Sequence, residues 1–432
     1  MTKPLTNDRD EFNAPSPRDE DENFGGAVSS SVALLASRAA LMGFSVLANL
    51  LAARVLGPGG RGQVAAALQV SYLFSFLVVM GLDRSLAMVA PAAAVGDSWS
   101  VAKAAMKRRS TVMAFLGVIV SAVGFAIDEP RIWTFAFAVG LMAVFNGHFR
   151  VIESALINAD RAKVMVPIQV LSGATTLVLL GGLAIVSTTV VGIWFAAYVA
   201  SSIVVVLVAN RKLLRLDGAS LTGQPPTVDR RVWSRAGLRL LPASMAGFAT
   251  LRSDRLLLPL LSGSEELGLY VVAATFVDLA SVPVESLANV LLPRWRSRKL
   301  EGKFTTFREL SLSVGLAASL SAGVWLVGSR LVEPVFGEAF ARSASFLPTL
   351  ALAAFLLGTS RLAQSRALAL ALDALVSVAE TCGVVAAFVA YLVLIPSFGG
   401  QGAALGSAIG YGVTLFVVLA GQVVSALRTS ES

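Results

Sequence analysis

Nineteen consecutive residues, Gln63 to Gly81, carry no charge. As a helix rising about 1.5 Å per residue, such a run spans roughly 28 Å, close to the thickness of a bilayer's hydrocarbon core. Similar apolar runs recur along the chain, and only 14% of its 432 residues are charged, against about 25% in soluble domains. With 56% hydrophobic residues and a mean hydropathy of +0.74, the chain reads as an integral, polytopic membrane protein. The long runs exclude a membrane β-barrel, whose strands alternate over about 10 residues.

The candidate spans are roughly 29–53, 62–94, 110–127, 131–159, 163–186, 190–210, 236–261, 268–293, 307–330, 343–372, 374–396 and 400–426. The longest connection, Asn210 to Arg235, divides them into two sets of six. The expected organisation is a disordered acidic cytoplasmic tail over 1–28 and a six-helix lobe over 29–210. A cytoplasmic linker follows over 211–235, in which an interfacial helix begins, then a second six-helix lobe over 236–426 and a short tail over 427–432. An even number of spans per half inserts both halves in the same sense, which makes a parallel repeat about an axis along the membrane normal. Traces of the repeat remain. Leu56-Gly57-Pro58 recurs as Leu261-Ser262-Gly263, each followed by a glycine that opens a long helix, Gly62 and Gly268. Asp160, after the fourth span, matches Asp373, after the tenth. The fold class expected is an all-α polytopic membrane protein of about 12 transmembrane helices in two pseudo-symmetric lobes, with a substrate path between them.

A net charge of +8 would suggest nucleic acid in a soluble protein. Here the positive-inside rule explains it. With the N-terminus inside, cytoplasmic connections hold 18 basic residues and outer ones five: Arg54, Arg61, Arg131, Arg330 and Arg342. Both termini are therefore expected in the cytoplasm. Trp99, Trp233 and Trp295 fall at predicted inner ends and Trp133, Trp194 and Trp325 at outer ends, the pattern of an aromatic belt.

Several chemistries drop out. One cysteine, Cys382, excludes an internal disulfide, and one histidine, His148, excludes a His-rich metal site. Both read as packing residues. Gly57 to Gly62 satisfies G-x-G-x-x-G with Asp83 about 20 residues on, but no strand precedes it, and a turn between membrane helices explains it better. Ser100 to Lys103 matches S-x-x-K without the partner motifs S-D-N and K-T-G. No Walker A motif occurs. No enzymatic activity, cofactor or metal is expected.

Ionisable residues inside a membrane are expensive unless they face protein or water, which makes them the leading site candidates. Arg38, Arg84, Arg150, Arg252 and Arg255 are expected to face a substrate cavity. Asp83, Asp254, Asp278 and Glu380 are expected to pair with them or to take a coupling ion. Glu153, Glu285 and Arg361 lie shallower, where snorkelling or local pairing explains them equally well.

Ala53-Arg54 before Leu56-Gly57-Pro58 and Gly62, with Gly81-Leu82-Asp83-Arg84-Ser85 after the next helix, resembles the polysaccharide flippases of the multidrug/oligosaccharidyl-lipid/polysaccharide (MOP) exporter superfamily. Asn158-Ala159-Asp160-Arg161, Phe336-Gly337-Glu338-Ala339-Phe340 and Ile395 to Ala404, IPSFGGQGAA, extend the resemblance in order. The last is one residue longer than the family's pattern. The resemblance implies a MATE-like fold in a bacterial cytoplasmic membrane. It implies translocation of a polyprenyl-pyrophosphate-linked oligosaccharide from inner to outer leaflet for cell-surface polysaccharide, by alternating access. A proton or sodium ion is a candidate coupling ion; a polysaccharide polymerase or glycosyltransferases are candidate protein partners, with membrane lipid around the helices and no nucleic acid. The buried arginines would then replace hydration lost by the pyrophosphate. The alternatives are a multidrug or small-molecule exporter of the same superfamily, a peptidoglycan-precursor flippase, or a membrane scaffold docking glycosyltransferases. Span one carries Arg38 and no acid, which favours an anionic substrate.

Overall fold

The structure, a computed structural model, describes residues 17–89, 106–107, 109–112, 114–115, 130–158, 161–217, 230–300 and 307–430. Among them the chain is helical almost throughout, without strands. The first lobe contains α1 (Pro17–Val79), α2 (Leu82–Val89), α3 (Pro130–Asn158), α4 (Met165–Ile185) and α5 (Val191–Asp217). The second contains α6 (Arg230–Ser262), α7 (Ser264–Leu300), α8 (Phe307–Phe336), α9 (Leu347–Ala369) and α10 (Asp373–Ser430). A 3-10 segment, Glu338–Phe346, leads into α9.

Seven segments among the described residues are long and apolar enough to cross a membrane. Two of them, Ala40–Val79 and Asp373–Ser425, have 40 and 53 residues, about twice what one crossing needs. Each folds back on itself at a glycine. In α10 the break is Gly399, at φ 55° and ψ −129°. Its arms pack closely: Gly406 lies on the ring of Tyr391, Gly383 lies against Gly410 and Thr414, and a Cβ at 402 would sit 2.3 Å from the Leu394 carbonyl oxygen. In α1 the break is Gly57, at φ 66° and ψ −177°, a conformation almost confined to glycine that costs other residues about 1–3 kcal/mol. Gly57-Pro58 thus joins the first two spans with no loop between them, and the G-x-G-x-x-G run lies on helix with no strand before it.

Several expectations differ from what the described residues show. The single second span over 62–94 is cut at Met80 (φ 46°) and Gly81 (φ 72°), and α2 restarts at Leu82. The cause lies in the other lobe: a Cβ at 81 would meet the Gly237 carbonyl oxygen at 2.1 Å. Helix α1 begins at Pro17 and so takes in 17–28, placed by composition in the tail. The segment read as an interfacial helix is continuous with the seventh span in α6, which runs unbroken from Arg230 through Ser262, and α10 continues through the expected tail to Ser430. The tryptophan belt is partial. Trp194 is fully buried and donates from Nε1 to the Thr188 carbonyl at 2.8 Å, Trp295 is buried, and Trp325 is half exposed. The other tryptophan side chains, residues 1–16, 218–229 and the S-x-x-K run lie outside the described residues. Cys382 is exposed rather than packed.

The lobes meet at both ends of the bundle. At the end with the Gly57, Gly263 and Gly399 breaks, Gly62 of α1 lies on α7: a Cβ there would be 1.6 Å from the Ser264 carbonyl oxygen. Its repeat-related partner Gly268 returns the contact, 1.9 Å from the Pro58 carbonyl oxygen. Arg54 crosses the same seam and donates to the Val335 carbonyl at 2.8 Å and the Pro334 carbonyl at 3.2 Å. At the opposite end Gly81 packs on Gly237, and the rings of Phe76 and Phe248 lie 5.2 Å apart.

Candidate functional site: an arginine-lined cavity between the lobes

Between those two seams lies a cavity of about 820 Å³, walled by α1, α2 and α3 of one lobe and α6, α7, α9 and α10 of the other. Six arginines line it: Arg61, Arg84, Arg150, Arg252, Arg255 and Arg361. Four of these were expected from their place in apolar sequence. The fifth expected residue, Arg38, lies on α1, and its side chain is outside the described residues.

Helix α6 supplies the middle of the wall. It is absent from the apolar spans because Arg252, Asp254 and Arg255 sit on it in a single turn. Asp254 and Arg255 are 6% and 7% exposed. The Arg255 Nη2 donates to both Asp278 oxygens at 2.9 Å, and Arg252 Nη1 donates to the same carboxylate at 3.3 Å. One acid on α7 thus holds two guanidiniums, and the bifurcated contact fixes Arg255 more firmly than a single bond would. Asp254 faces away, into a smaller adjoining cavity of about 220 Å³. One of its oxygens accepts the Tyr270 hydroxyl at 2.6 Å and the other the Arg255 backbone N–H at 2.7 Å.

Two further pairs lie toward the Gly81–Gly237 end. Arg150 of α3 donates to Asp83 of α2 at 2.7 Å, and its guanidinium stacks 3.8 Å from the centre of the Phe76 ring. Asp83 lies just past the helix break at Met80-Gly81. Arg361 of α9 donates to Glu380 of α10 at 3.0 Å and to Gln364 at 3.2 Å.

Arg61 and Arg84 differ from the rest. Neither has a carboxylate partner among the described residues. Arg84 is exposed to the cavity. Arg61 is 3% exposed; its Nη2 donates to Asn49 Oδ1, while Nε and Nη1 find no acceptor. Sequence reasoning placed Arg61 in an outer loop, because Gly57-Pro58-Gly59-Gly60 resembles one. Had that run been taken as a helix break, Arg61 would have counted one turn inside the next helix. The sequence puts Arg361 at a shallow depth, although Gln364 one turn on and Glu380 on the next helix mark it as part of a polar network. Among the described residues no cluster of three or more histidines, cysteines or acids is placed to hold a metal ion.

No protein-family model and no curated protein matches the sequence. Solved structures do match the fold. The lipid II flippase MurJ, in an inward closed conformation, superposes with a TM-score of 0.67 at 10% identity, over 91% of this chain and 87% of that one. The MATE multidrug transporter DinF-BH gives 0.62 at 13% identity, over 92% and 94%. An inward-facing multidrug resistance MATE family transporter of the MOP superfamily gives 0.56 at 16% identity, over 92% and 96%. The chain has the two-lobe, all-α membrane fold shared by these transporters, over nearly its full length.

Proposed function

We propose that the protein is a flippase that carries a polyprenyl-pyrophosphate-linked oligosaccharide from the inner to the outer leaflet of a bacterial cytoplasmic membrane, for surface polysaccharide synthesis. Both termini lie in the cytoplasm, and the lobes alternate access to the cavity. The observation that carries this reading is the charge of the cavity. Six guanidiniums line it, and among the described residues only Asp83, Asp278 and Glu380 pair with them. At an effective dielectric near 20, one unpaired guanidinium about 4 Å from a phosphate charge is worth roughly 4 kcal/mol. The same field repels a cationic drug by as much. A volume of about 820 Å³ lies within the usual range for ligand sites, about 300–1,000 Å³, and suits a polar head group whose polyprenyl chain stays in lipid. On this reading Asp254, Asp278 and Glu380 would take a coupling proton or sodium ion, and a polymerase or glycosyltransferases are the protein partners that such a substrate implies.

Proteoliposomes test the substrate class. The purified protein should speed transbilayer movement of a fluorescent polyprenyl-diphosphate sugar, and Arg150→Ala should slow it by about tenfold or more. Transport of a lipophilic cationic dye with no effect on the diphosphate lipid would favour the drug-exporter reading instead.

A further inference from the structure

We infer that the cavity holds two separate stations for a phosphate-type anion, one at Arg84 and one at Arg61, with a stretch between them whose guanidiniums are already paired with carboxylates. This rests on the reading of the cavity as a path for an anionic head group, and it adds a site in Arg61 and an order of events.

Four of the six guanidiniums are already paired. Arg150 has Asp83, Arg252 and Arg255 share Asp278, and Arg361 has Glu380. An incoming phosphate must compete with a carboxylate at each of these. Arg84 and Arg61 have no such competitor among the described residues. Arg61 lies at the start of the second arm of α1, and Arg84 lies on α2, just past the other end of that arm. From residue 61 to residue 79 that arm alone is about 27 Å long, more than one arginine side chain can cover. A single binding position therefore cannot serve both ends of the cavity.

The surroundings of Arg61 suit an oxyanion. It is buried, two of its three nitrogens lack an acceptor, and a buried cation in that state is strongly unfavourable unless an anion reaches it. The nearby wall supplies neutral hydrogen-bonding groups. Asn49 accepts from Arg61 and donates to Thr275 across the lobe interface at 3.4 Å. Gln69, whose Oε1 is unpartnered, lines the cavity two turns further along. Arg61 is also one residue from Gly62, where the lobes touch. An anion drawn to Arg61 arrives at the seam that must part for release at that end. Arg84 receives it at the other end, beside the Gly81–Gly237 contact.

Inorganic pyrophosphate, titrated calorimetrically into the full-length protein in nanodiscs, tests this. Wild type is expected to bind two per chain. Arg84→Gln should abolish one site and Arg61→Gln the other, each by at least about tenfold in affinity. Asn49→Asp is the decisive variant. It preserves shape, keeps Arg61 folded in place, and gives it the carboxylate it lacks, so it should silence the same site as Arg61→Gln. Arg61→Lys, which keeps the charge, should retain both sites with one weakened. One pyrophosphate per chain, weakened alike by Arg84→Gln and Arg61→Gln, would overturn the two stations while leaving the anionic pathway standing. Two sites unchanged by Arg61→Gln and Asn49→Asp would remove Arg61 from the pathway. No pyrophosphate binding by wild type would overturn the anionic reading itself.

Discussion

An Asp278→Ala variant is expected to melt far earlier than wild type in detergent, with a loss of about 3 kcal/mol. Removing one partner of a buried ion pair typically costs about 3–5 kcal/mol, because the other charge is left uncompensated. The lower end applies because the Asp278 side chain keeps 35% of its surface exposed to the cavity, where water softens the loss. Two cations are stranded, and Arg255, 7% exposed, is the more costly. Its Nη2 gives up both 2.9 Å bonds, while its Nε already lacks a partner. Arg255→Leu combined with Asp278→Ala should recover much of the loss, since an apolar replacement of a buried pair is often neutral. If Asp278→Ala melts within about 0.5 kcal/mol of wild type, the pair does not hold α6 against α7.

Gly62→Ala is expected to spring the lobes apart at the Gly57 end. The added Cβ would lie 1.6 Å from the Ser264 carbonyl oxygen, well inside any real contact. A backbone oxygen cannot rotate away as a side chain could. Gly268→Ala attacks the same seam from the other lobe, 1.9 Å from the Pro58 carbonyl oxygen. Forcing such a contact typically costs about 1–3 kcal/mol, and about 2 kcal/mol shifts a two-state ratio by roughly 30-fold. In a transporter that alternates, the state with this seam parted escapes the clash and takes over. Spin labels at the exposed positions Thr189 and Glu338 should report a longer distance in either variant, and transport should fall because the closed state is no longer reached. An unchanged label distance with transport lost would mean that the clash is absorbed inside one lobe.

These two sites show what could be read from the sequence and what could not. The repeat pairing of Gly62 with Gly268 was visible, because each follows a turn of the same form, but their mutual contact was not: only folding places two repeat-related positions on the interface. The cavity arginines on α3 and α6 were legible because a charge amid apolar residues has few places to go. Arg61 was not, because Gly57-Pro58-Gly59-Gly60 has loop composition while its backbone makes one sharp bend at Gly57 and otherwise stays helical. The break at Met80-Gly81 was hidden for a different reason. Its cause, the close approach of Gly237, lies on another helix 156 residues further along the chain. The belt reading of Trp194 failed similarly, since its indole N–H satisfies the Thr188 carbonyl inside the protein instead of the lipid interface.

Deletion of the gene in its host tests the central claim most directly, with the lipid-linked oligosaccharide assayed by leaflet beside the surface polysaccharide. The account predicts that the intermediate accumulates in the inner leaflet while the surface polymer is lost. Normal surface polysaccharide together with altered sensitivity to cationic drugs would contradict it.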